Sequence, residues 1–222
     1  MLLIYAGNKS KGVAIDTATP QSKTILTRLN SFGIHKETEM AQKFPEISDR
    51  LKAFISEQKI FFVATAAADG RINLSPKGMN SLKVLDKNRV IWLNVTGSGN
   101  ETAAHVQENP RMTIMFMSLA GDPLILRLYG TAKAVHKNDE EWTALISEFP
   151  PTPGARQIFD LSVDLVQTSC GMAVPLFDYV AERDALKKWA EQKGEEGIKE
   201  YWREKNQVSL DGKATHIVEK NS

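Results

Sequence analysis

Short apolar or alternating runs, each bounded by turn-forming residues, occupy most of the chain between positions 60 and 168. Runs of this length and composition are typical of β-strands. We predict six strands, at 60–66, 71–77, 90–95, 112–117, 124–135 and 156–168. Gly130, inside the fifth run, predicts the bulge or bend that a strand needs at a barrel corner. The pattern therefore favours a mainly β fold with peripheral helices, built as a six-stranded antiparallel barrel.

Helical periodicity, with apolar residues three and four positions apart, appears outside these runs. The predicted helices lie at 48–57, about 100–108, roughly 139–148, 183–193 and 195–205. Ser48 is suited to cap the first helix. Asn109-Pro110 ends the second helix, because a residue before proline avoids the α region. Four residues on the last two helices are expected to pack the tail on the barrel: Trp189, Ile198, Tyr201 and Trp202.

The first 39 residues differ in composition from the rest, and we exclude them from the predicted fold. They are rich in Ser, Thr and basic residues, which resembles an organelle targeting segment. A disordered extension, or translation from Met40 instead of Met1, is the alternative that we favour. We expect order to begin near Ile47, with a barrel domain at 40–175 and a helical appendage at 176–222. The expected location is cytoplasmic, or organellar if 1–39 is a transit peptide.

Composition narrows the class of protein. The 222 residues are 42% hydrophobic and 25% charged, with a formal net charge of +1, as expected for one globular domain. The balanced charge gives no support for binding to nucleic acid or to an anionic membrane. A single cysteine, Cys170, excludes an intramolecular disulfide, and no apolar run approaches the roughly 18 residues of a membrane span. No Cys or His pair has metal-ligand spacing, so no metal is expected.

The segment from Thr96 to Met117 contains the strongest candidate site. A Gly-rich turn, Gly97-Ser98-Gly99, leads into the N-terminus of the second predicted helix. Backbone N–H groups and the positive end of the helix dipole favour an anion at such a place, most often a phosphate. The alternative needs no ligand, because Ser98 and Glu101 fit the S/T-x-x-E capping box.

Several spaced segments, in the right order, resemble the FMN-binding split-barrel superfamily and, within it, the pyridoxamine 5′-phosphate oxidase-like proteins. The points of similarity are paired early strands that end in Pro76-Lys77-Gly78, the loop and helix before Asn109-Pro110, and the strand that contains Arg127-Leu-Tyr-Gly130. The resemblance covers roughly residues 45–170. Three motifs look like those of an uncharacterised subgroup: 73–78, 96–102 and 169–175.

The resemblance implies a six-stranded split barrel that forms a homodimer, with two FMN sites at the dimer interface. In such proteins a strand-borne lysine and groups at the start of the short helix hold the FMN phosphate. Lys77 matches that lysine. Positions 100–102 depart from the pattern, because the true oxidase has Ser-Arg-Lys there and this chain has Asn-Glu-Thr. The second-strand arginine falls at Ile72, and the oxidase's C-terminal substrate-binding segment is not recognisable. Pyridoxamine phosphate oxidase activity itself is therefore not expected.

Seven residues form the candidate cofactor-binding set: Asn73, Ser75, Lys77, Ser98, Asn100, Thr102 and Arg127. Strand alternation places Asn73 and Ser75 on one face, where they could hydrogen-bond the flavin ring. Lys77 is expected to contact phosphate or flavin, with a solvated strand end as its alternative. The three residues at the helix start supply hydroxyl and amide donors.

Arg127 lies in an apolar run, where a charge needs a partner. The partner is either the FMN phosphate or Glu101. His105 and Cys170 are interpreted as packing residues, with no catalytic role assigned.

Two classes of function remain open. One is an FMN-dependent oxidoreductase that acts on an unknown small substrate, since the flavin carries the chemistry and the protein positions it. The other is a non-catalytic module that holds FMN, a deazaflavin or haem. The residues identify neither the substrate nor the electron donor.

Overall fold

The structure, a computed structural model, describes residues 41–221, which belong to one compact unit of the chain. The segment 1–39, predicted as an extension or targeting segment, lies outside the described residues. Eight strands occupy the described part: β1 (Ala41–Phe44), β2 (Phe61–Thr65), β3 (Asn73–Lys77), β4 (Leu82–Asp86), β5 (Arg89–Val95), β6 (Arg111–Met117), β7 (Ile125–Val135) and β8 (Ala155–Ser169).

Helices lie between and after these strands. Within residues 41–221 they are α1 (Asp49–Glu57), α2 (Glu101–Glu108), α3 (Trp142–Ile146), α4 (Ala185–Lys205) and a 3-10 turn at Glu219–Asn221. Ser48 caps α1 as predicted, because its side chain accepts a hydrogen bond from the Leu51 N–H. A bilayer could not be crossed by any helix in this described part, since none combines the needed length and apolarity.

The strands form one antiparallel sheet in the order β3-β2-β6-β7-β8-β5-β4, and β1 also pairs with β8. β8 is long enough to pair with β5 along its first half and with β1 along its last four residues. β3 lies at an edge of the sheet, where Pro76 needs no ladder donor. The predicted mainly β, antiparallel split barrel is confirmed, with eight strands in the described residues instead of six.

The two additional strands, β1 and β4, depend on tertiary pairing more than on local pattern. β1 has only four residues and lies opposite Val166–Ser169 of β8, so order begins before Ile47 and that prediction was wrong. β4 folds back on β5 through the turn at Lys87 and Asn88, and its register shifts between Val84 and Asp86. A strand this short and irregular shows little of the alternation of apolar and polar residues that predicts a strand from sequence.

The predicted irregularity at Gly130 is confirmed. The register between β7 and β8 shifts between Tyr129 and Gly130. A Cβ atom at Gly130 would lie 1.9 Å from the Ser162 carbonyl oxygen. Only glycine lets the two backbones approach this closely, so the residue allows β7 to bend over β8.

The C-terminal tail packs against the barrel. α4 consists of two helical parts that meet at Gly194, whose φ of 66° and ψ of 176° are not helical, as the sequence predicted. Ile198 and Trp202 of the second part form an apolar cluster with Ile217. The Trp202 indole N–H donates to Thr96 Oγ1 at 2.9 Å. The tail therefore contacts the loop between β5 and α2.

Candidate functional site

β3 presents its polar residues to one side of the sheet edge. Asn73, Ser75 and Lys77 are half-buried and alternate with exposed Leu74 and Pro76. The half-buried side lines a cleft of about 310 Å³, which we call the polar cleft. Six of the seven predicted site residues line it: Asn73, Ser75, Lys77, Ser98, Asn100 and Thr102. Strand alternation and the helix start thus bring together residues from two separate segments.

Hydrogen bonds join the two walls of the polar cleft. The Asn73 amide nitrogen lies 3.2 Å from Thr102 Oγ1 and 3.4 Å from Ser75 Oγ. It therefore links β3 to the first turn of α2. This link fixes the distance between the strand-borne Lys77 and the helix N-terminus.

The N-terminus of α2 lacks a side-chain cap. Asn100 occupies the N-cap position, but its side chain makes no capping hydrogen bond. The alternative capping box of Ser98 and Glu101 does not form, because Asn100 and not Ser98 is the N-cap residue. The Glu101 carboxylate accepts the Leu210 N–H at 2.9 Å instead. Asn100 is buried, its Oδ1 accepts from Gln157 Nε2 at 2.8 Å, and its Nδ2 has no partner in the described residues. An uncapped helix start keeps its N–H groups available to an anion.

Lys77 projects into the polar cleft over an aromatic wall. Its Nζ lies 5.0 Å from the centroid of the Trp92 ring, and Trp92 in turn stacks on Phe159. Burial first, and then the positive charge of Arg156, lowers the pKa of Lys77 from 10.5 to about 8. Lys77 is thus a partly desolvated cation that remains mostly protonated at neutral pH.

Arg156 is a cleft residue that sequence reasoning missed. It lies at the start of β8, and only 2% of its surface is exposed. Its Nη1 donates to Asn206 Oδ1 at 2.7 Å and its Nη2 donates to the Gly99 carbonyl at 3.1 Å, while Nε has no partner among residues 41–221. Burial lowers the pKa of the guanidinium from 12.5 to about 9, so it stays charged at neutral pH.

No carboxylate of the described residues forms an ion pair with Arg156. A buried charge without a counter-ion is costly, so Arg156 is a candidate for binding an anion. The signal was available in the sequence, because Arg156 opens an otherwise buried strand. In the sequence, Arg127 is the more conspicuous charge, because its neighbours are more apolar.

Arg127 does not line the polar cleft. It lies in β7 opposite Met115 and Gln167, and its Nη1 donates to Ser169 Oγ at 3.2 Å. It forms no ion pair with Glu101 in the described structure, so that alternative for its partner was wrong. β7 lies in the middle of the sheet, whereas the cleft is built from β3, β5, α2 and the start of β8.

His105 is a packing residue, as interpreted from the sequence. It is buried on α2, and its Nδ1 lies 3.1 Å from Thr65 Oγ1. Cys170 is a half-buried free thiol after β8. Within residues 41–221, no group of three or more His, Cys, Asp or Glu residues could hold a metal ion.

Comparison with known proteins identifies the family of this chain. The family described as pyridoxamine 5′-phosphate oxidase matches residues 47–170, more than half of the chain. This chain belongs to the pyridoxamine 5′-phosphate oxidase family. The curated relative ustO of Aspergillus flavus, described as a protein of that family, is 36% identical over 187 residues, which cover 76% of this chain and 75% of the relative.

Solved structures of lower identity also match. HupZ of Group A Streptococcus is 22% identical, covers 54% of this chain and 91% of its own, and superposes with a TM-score of 0.44. HutZ of Vibrio cholerae, described as a heme storage protein, is 20% identical, covers 54% and 92%, and has a TM-score of 0.40.

Within the pyridoxamine 5′-phosphate oxidase family, the resemblance assigns cations to positions 101 and 102, where this chain has Glu101 and Thr102. The structure supplies a cation from another part of the chain. Arg156 lines the same cleft as the start of α2. Two cations, Lys77 and Arg156, therefore face one lining acid of the described residues, Glu101, and the lining is net positive.

A larger cleft of about 890 Å³ adjoins Lys77, and we call it the apolar cleft. Its walls include Ile60, Pro76 and the segment 177–183. Lys77 lines both clefts. The net-positive polar cleft and the apolar cleft thus meet at one lysine.

Proposed function

We propose that this protein binds FMN, with its phosphate in the polar cleft, and acts as a flavin-dependent oxidoreductase on a small substrate. The observation that carries the proposal is the convergence of Lys77 and Arg156 beside the uncapped start of α2. A phosphate dianion complements two cations and free helix N–H groups. Family membership agrees with a phosphate-bearing cofactor at this position.

The residues of the polar cleft fit a phosphate in a second respect. Arg156 Nε and Asn100 Nδ2 are buried donors without a partner among the described residues. Leaving a buried donor unsatisfied costs about 1–3 kcal/mol. A phosphate, which has only acceptor oxygens, would satisfy donors of this kind, whereas a cationic or apolar ligand would not.

A bound flavin would supply hydride or electron transfer, which no side chain of the cleft can perform. The protein's part is to hold and orient it. Lys77 and Arg156 would hold the phosphate, and Asn73 and Ser75 offer hydrogen bonds to the polar edge of the ligand. The apolar cleft, whose size is ordinary for a ligand pocket, is where we place the ring system and the substrate.

We propose further that the protein is a homodimer and that the FMN site lies at its interface. β3 is an edge strand; Leu74 on its outer side and Ile72 just before it are 63% and 76% exposed. Leu210, whose N–H is bound by Glu101, is 74% exposed. Exposed apolar side chains at an edge strand favour coverage by a second protein surface.

Light scattering at micromolar concentration tests the assembly. We expect a dimer for the wild type and a shift to monomer for Leu74→Glu, which places a charge on the exposed side of β3. A wild type that is monomeric at this concentration would contradict the proposed dimer.

The decisive experiment for the function is a visible spectrum of the protein after incubation with FMN and removal of free ligand. We expect flavin bands at one FMN per chain, and bleaching when NAD(P)H or a substrate is added without oxygen. A protein that stays colourless and does not quench FMN fluorescence would refute the proposal.

A non-catalytic binding protein for flavin, deazaflavin or haem is the alternative function. It predicts retained cofactor bands without bleaching by any electron donor. Haem has the least support, because a histidine is a common axial ligand and none of His105, His136 and His216 lines either cleft.

A further inference from the structure

We infer that the C-terminal tail sets the phosphate specificity of the polar cleft, with Asn206 as the positioning residue. Asn206 follows α4, beyond the segment 47–170 that matches the family. It is fully buried. The inference rests on the proposed function, because it concerns the phosphate part of that same site.

The Asn206 side chain uses its donors and its acceptor on the wall of the polar cleft. Its Oδ1 accepts from Arg156 Nη1 at 2.7 Å. Its Nδ2 lies 3.0 Å from the Gly97 carbonyl oxygen and 3.3 Å from that of Ser98. One amide thus contacts both the buried cation and the Gly-rich turn.

Asn206 is itself held in place by the tail. Thr215 Oγ1 donates to its carbonyl oxygen at 2.5 Å, and its N–H donates to the Trp202 carbonyl at 3.0 Å. Trp202 is anchored in turn by the hydrogen bond from its indole to Thr96. The backbone of Asn206 is therefore held on both sides, which limits the positions that its side-chain amide can take.

The contacts determine which way the peptide groups of the turn face. The carbonyl groups of Gly97 and Ser98 are bound by Asn206, and that of Gly99 is bound by Arg156. In a trans peptide the N–H of the next residue points opposite to the carbonyl. The N–H groups of residues 98–100 are therefore turned away from Asn206 and Arg156.

Without the hydrogen bonds from Asn206 and Arg156, the peptide groups of the Gly-rich turn would have no fixed orientation. Gly97 and Gly99 have wide conformational freedom, and a Cβ at Gly97 would meet nothing within 4 Å. A rotated peptide would bring a carbonyl oxygen to the phosphate, which repels an anion. Asn206 prevents this rotation and also prevents Arg156 from changing its position.

A pair of tail variants tests the inference: Asn206→Leu and the matched control Asn221→Leu. Asn221 is also a buried tail asparagine, but its amide contacts His136, the Lys137 N–H and the Ile217 carbonyl, away from the polar cleft. The measurement is the dissociation constant for FMN and for riboflavin, which lacks the phosphate. Their ratio reports the phosphate contribution alone.

We expect Asn206→Leu to reduce the preference for FMN over riboflavin by about tenfold or more, with riboflavin affinity nearly unchanged. Asn221→Leu is expected to keep the wild-type preference even if it lowers the melting temperature as much. A wild-type preference retained in Asn206→Leu would overturn the inference and leave the proposed function standing. Equal affinity of the wild type for FMN and riboflavin would refute the phosphate site and the inference together.

Asn206→Asp provides a second variant of the same size, in case Asn206→Leu does not fold. It keeps the acceptor for Arg156 but removes the donors to Gly97 and Ser98 and neutralises the guanidinium. Thermal stabilisation by inorganic phosphate is the readout. We expect phosphate to raise the melting temperature of the wild type and of Asn221→Leu but not of Asn206→Asp. Equal stabilisation of all three proteins would overturn the inference.

Discussion

Lys77 and Arg156 place two positive charges in one cleft, and the charge of Arg156 adds to burial in lowering the pKa of Lys77 to about 8. Neither side chain forms an ion pair with a carboxylate of the described residues. Each cation raises the cost of the other in the free protein. An anion between them would remove that cost, and the affinity for FMN should depend on both.

Substitution of Lys77 tests the strand-borne cation. A charge-assisted hydrogen bond contributes about 1.5–3 kcal/mol, so we expect Lys77→Ala to weaken FMN binding by roughly ten- to hundredfold. Riboflavin affinity should change much less. Quenching of FMN fluorescence on titration with protein measures both constants.

Arg127→Met is the matched control for this experiment. Arg127 is a cation on β7, three strands away from β3 in the sheet, and does not line the polar cleft. Its loss should leave the FMN affinity unchanged. If Arg127→Met weakens FMN binding as much as Lys77→Ala, the cofactor contacts β7 and the placement of the phosphate is wrong.

The pH dependence of binding follows from the lowered pKa of Lys77. In the free protein Lys77 loses its proton as the pH rises through about 8, and a bound dianion would hold that proton to higher pH. FMN affinity should therefore fall above about pH 8, by at most about tenfold per pH unit. Isothermal titration between pH 7 and about 8.5 measures the slope, below the pKa of about 9 at which Arg156 would also lose its charge and in the range where model lysines stay charged.

Riboflavin and Lys77→Met are the controls for the pH experiment. Riboflavin bound to the wild type lacks the phosphate, and FMN bound to Lys77→Met lacks the titrating ammonium. The affinity of each pair should therefore change little, or much less steeply, with pH. An equally steep fall for FMN with Lys77→Met would assign the titration to another group.

Local sequence patterns were enough to place most of the polar cleft. Asn73, Ser75 and Lys77 share a face because strand alternation is local. The start of α2 is marked by the glycines before it and its end by Pro110. The sequence did not identify Arg156 as a cleft residue, because its position depends on tertiary contacts. Its partners are Asn206 and Gly99, which are far from it in sequence. β1 was missed for the same reason, since its four residues gain their structure from β8.

Glu101 provides a test of the opposing charge in the cleft. Its carboxylate lines the polar cleft and accepts the Leu210 N–H. Gln keeps an acceptor for that N–H but removes the negative charge. We expect Glu101→Gln to tighten FMN binding by about two- to fivefold, which corresponds to roughly 0.5–1 kcal/mol for a partly screened charge.

Glu101→Ala separates the charge from the hydrogen bond. It removes both, so it should tighten FMN binding in the same direction while lowering the melting temperature. Unchanged FMN affinity in both variants would show that Glu101 only anchors the tail and does not act on the ligand.

Gly130 tests the backbone geometry on which the barrel depends. A Cβ there would lie 1.9 Å from the Ser162 carbonyl oxygen, so Gly130→Ala must push β7 away from β8. We expect a loss of about 3 kcal/mol or more in the free energy of unfolding, which for a chain of this size lowers the melting temperature by about 6–12 °C.

Gly197→Ala is the control, because the new Cβ lies 3.4 Å from the flexible Lys193 side chain and alanine favours a helix by up to about 1 kcal/mol. Calorimetry that finds Gly130→Ala as stable as Gly197→Ala would contradict the close approach of β7 and β8.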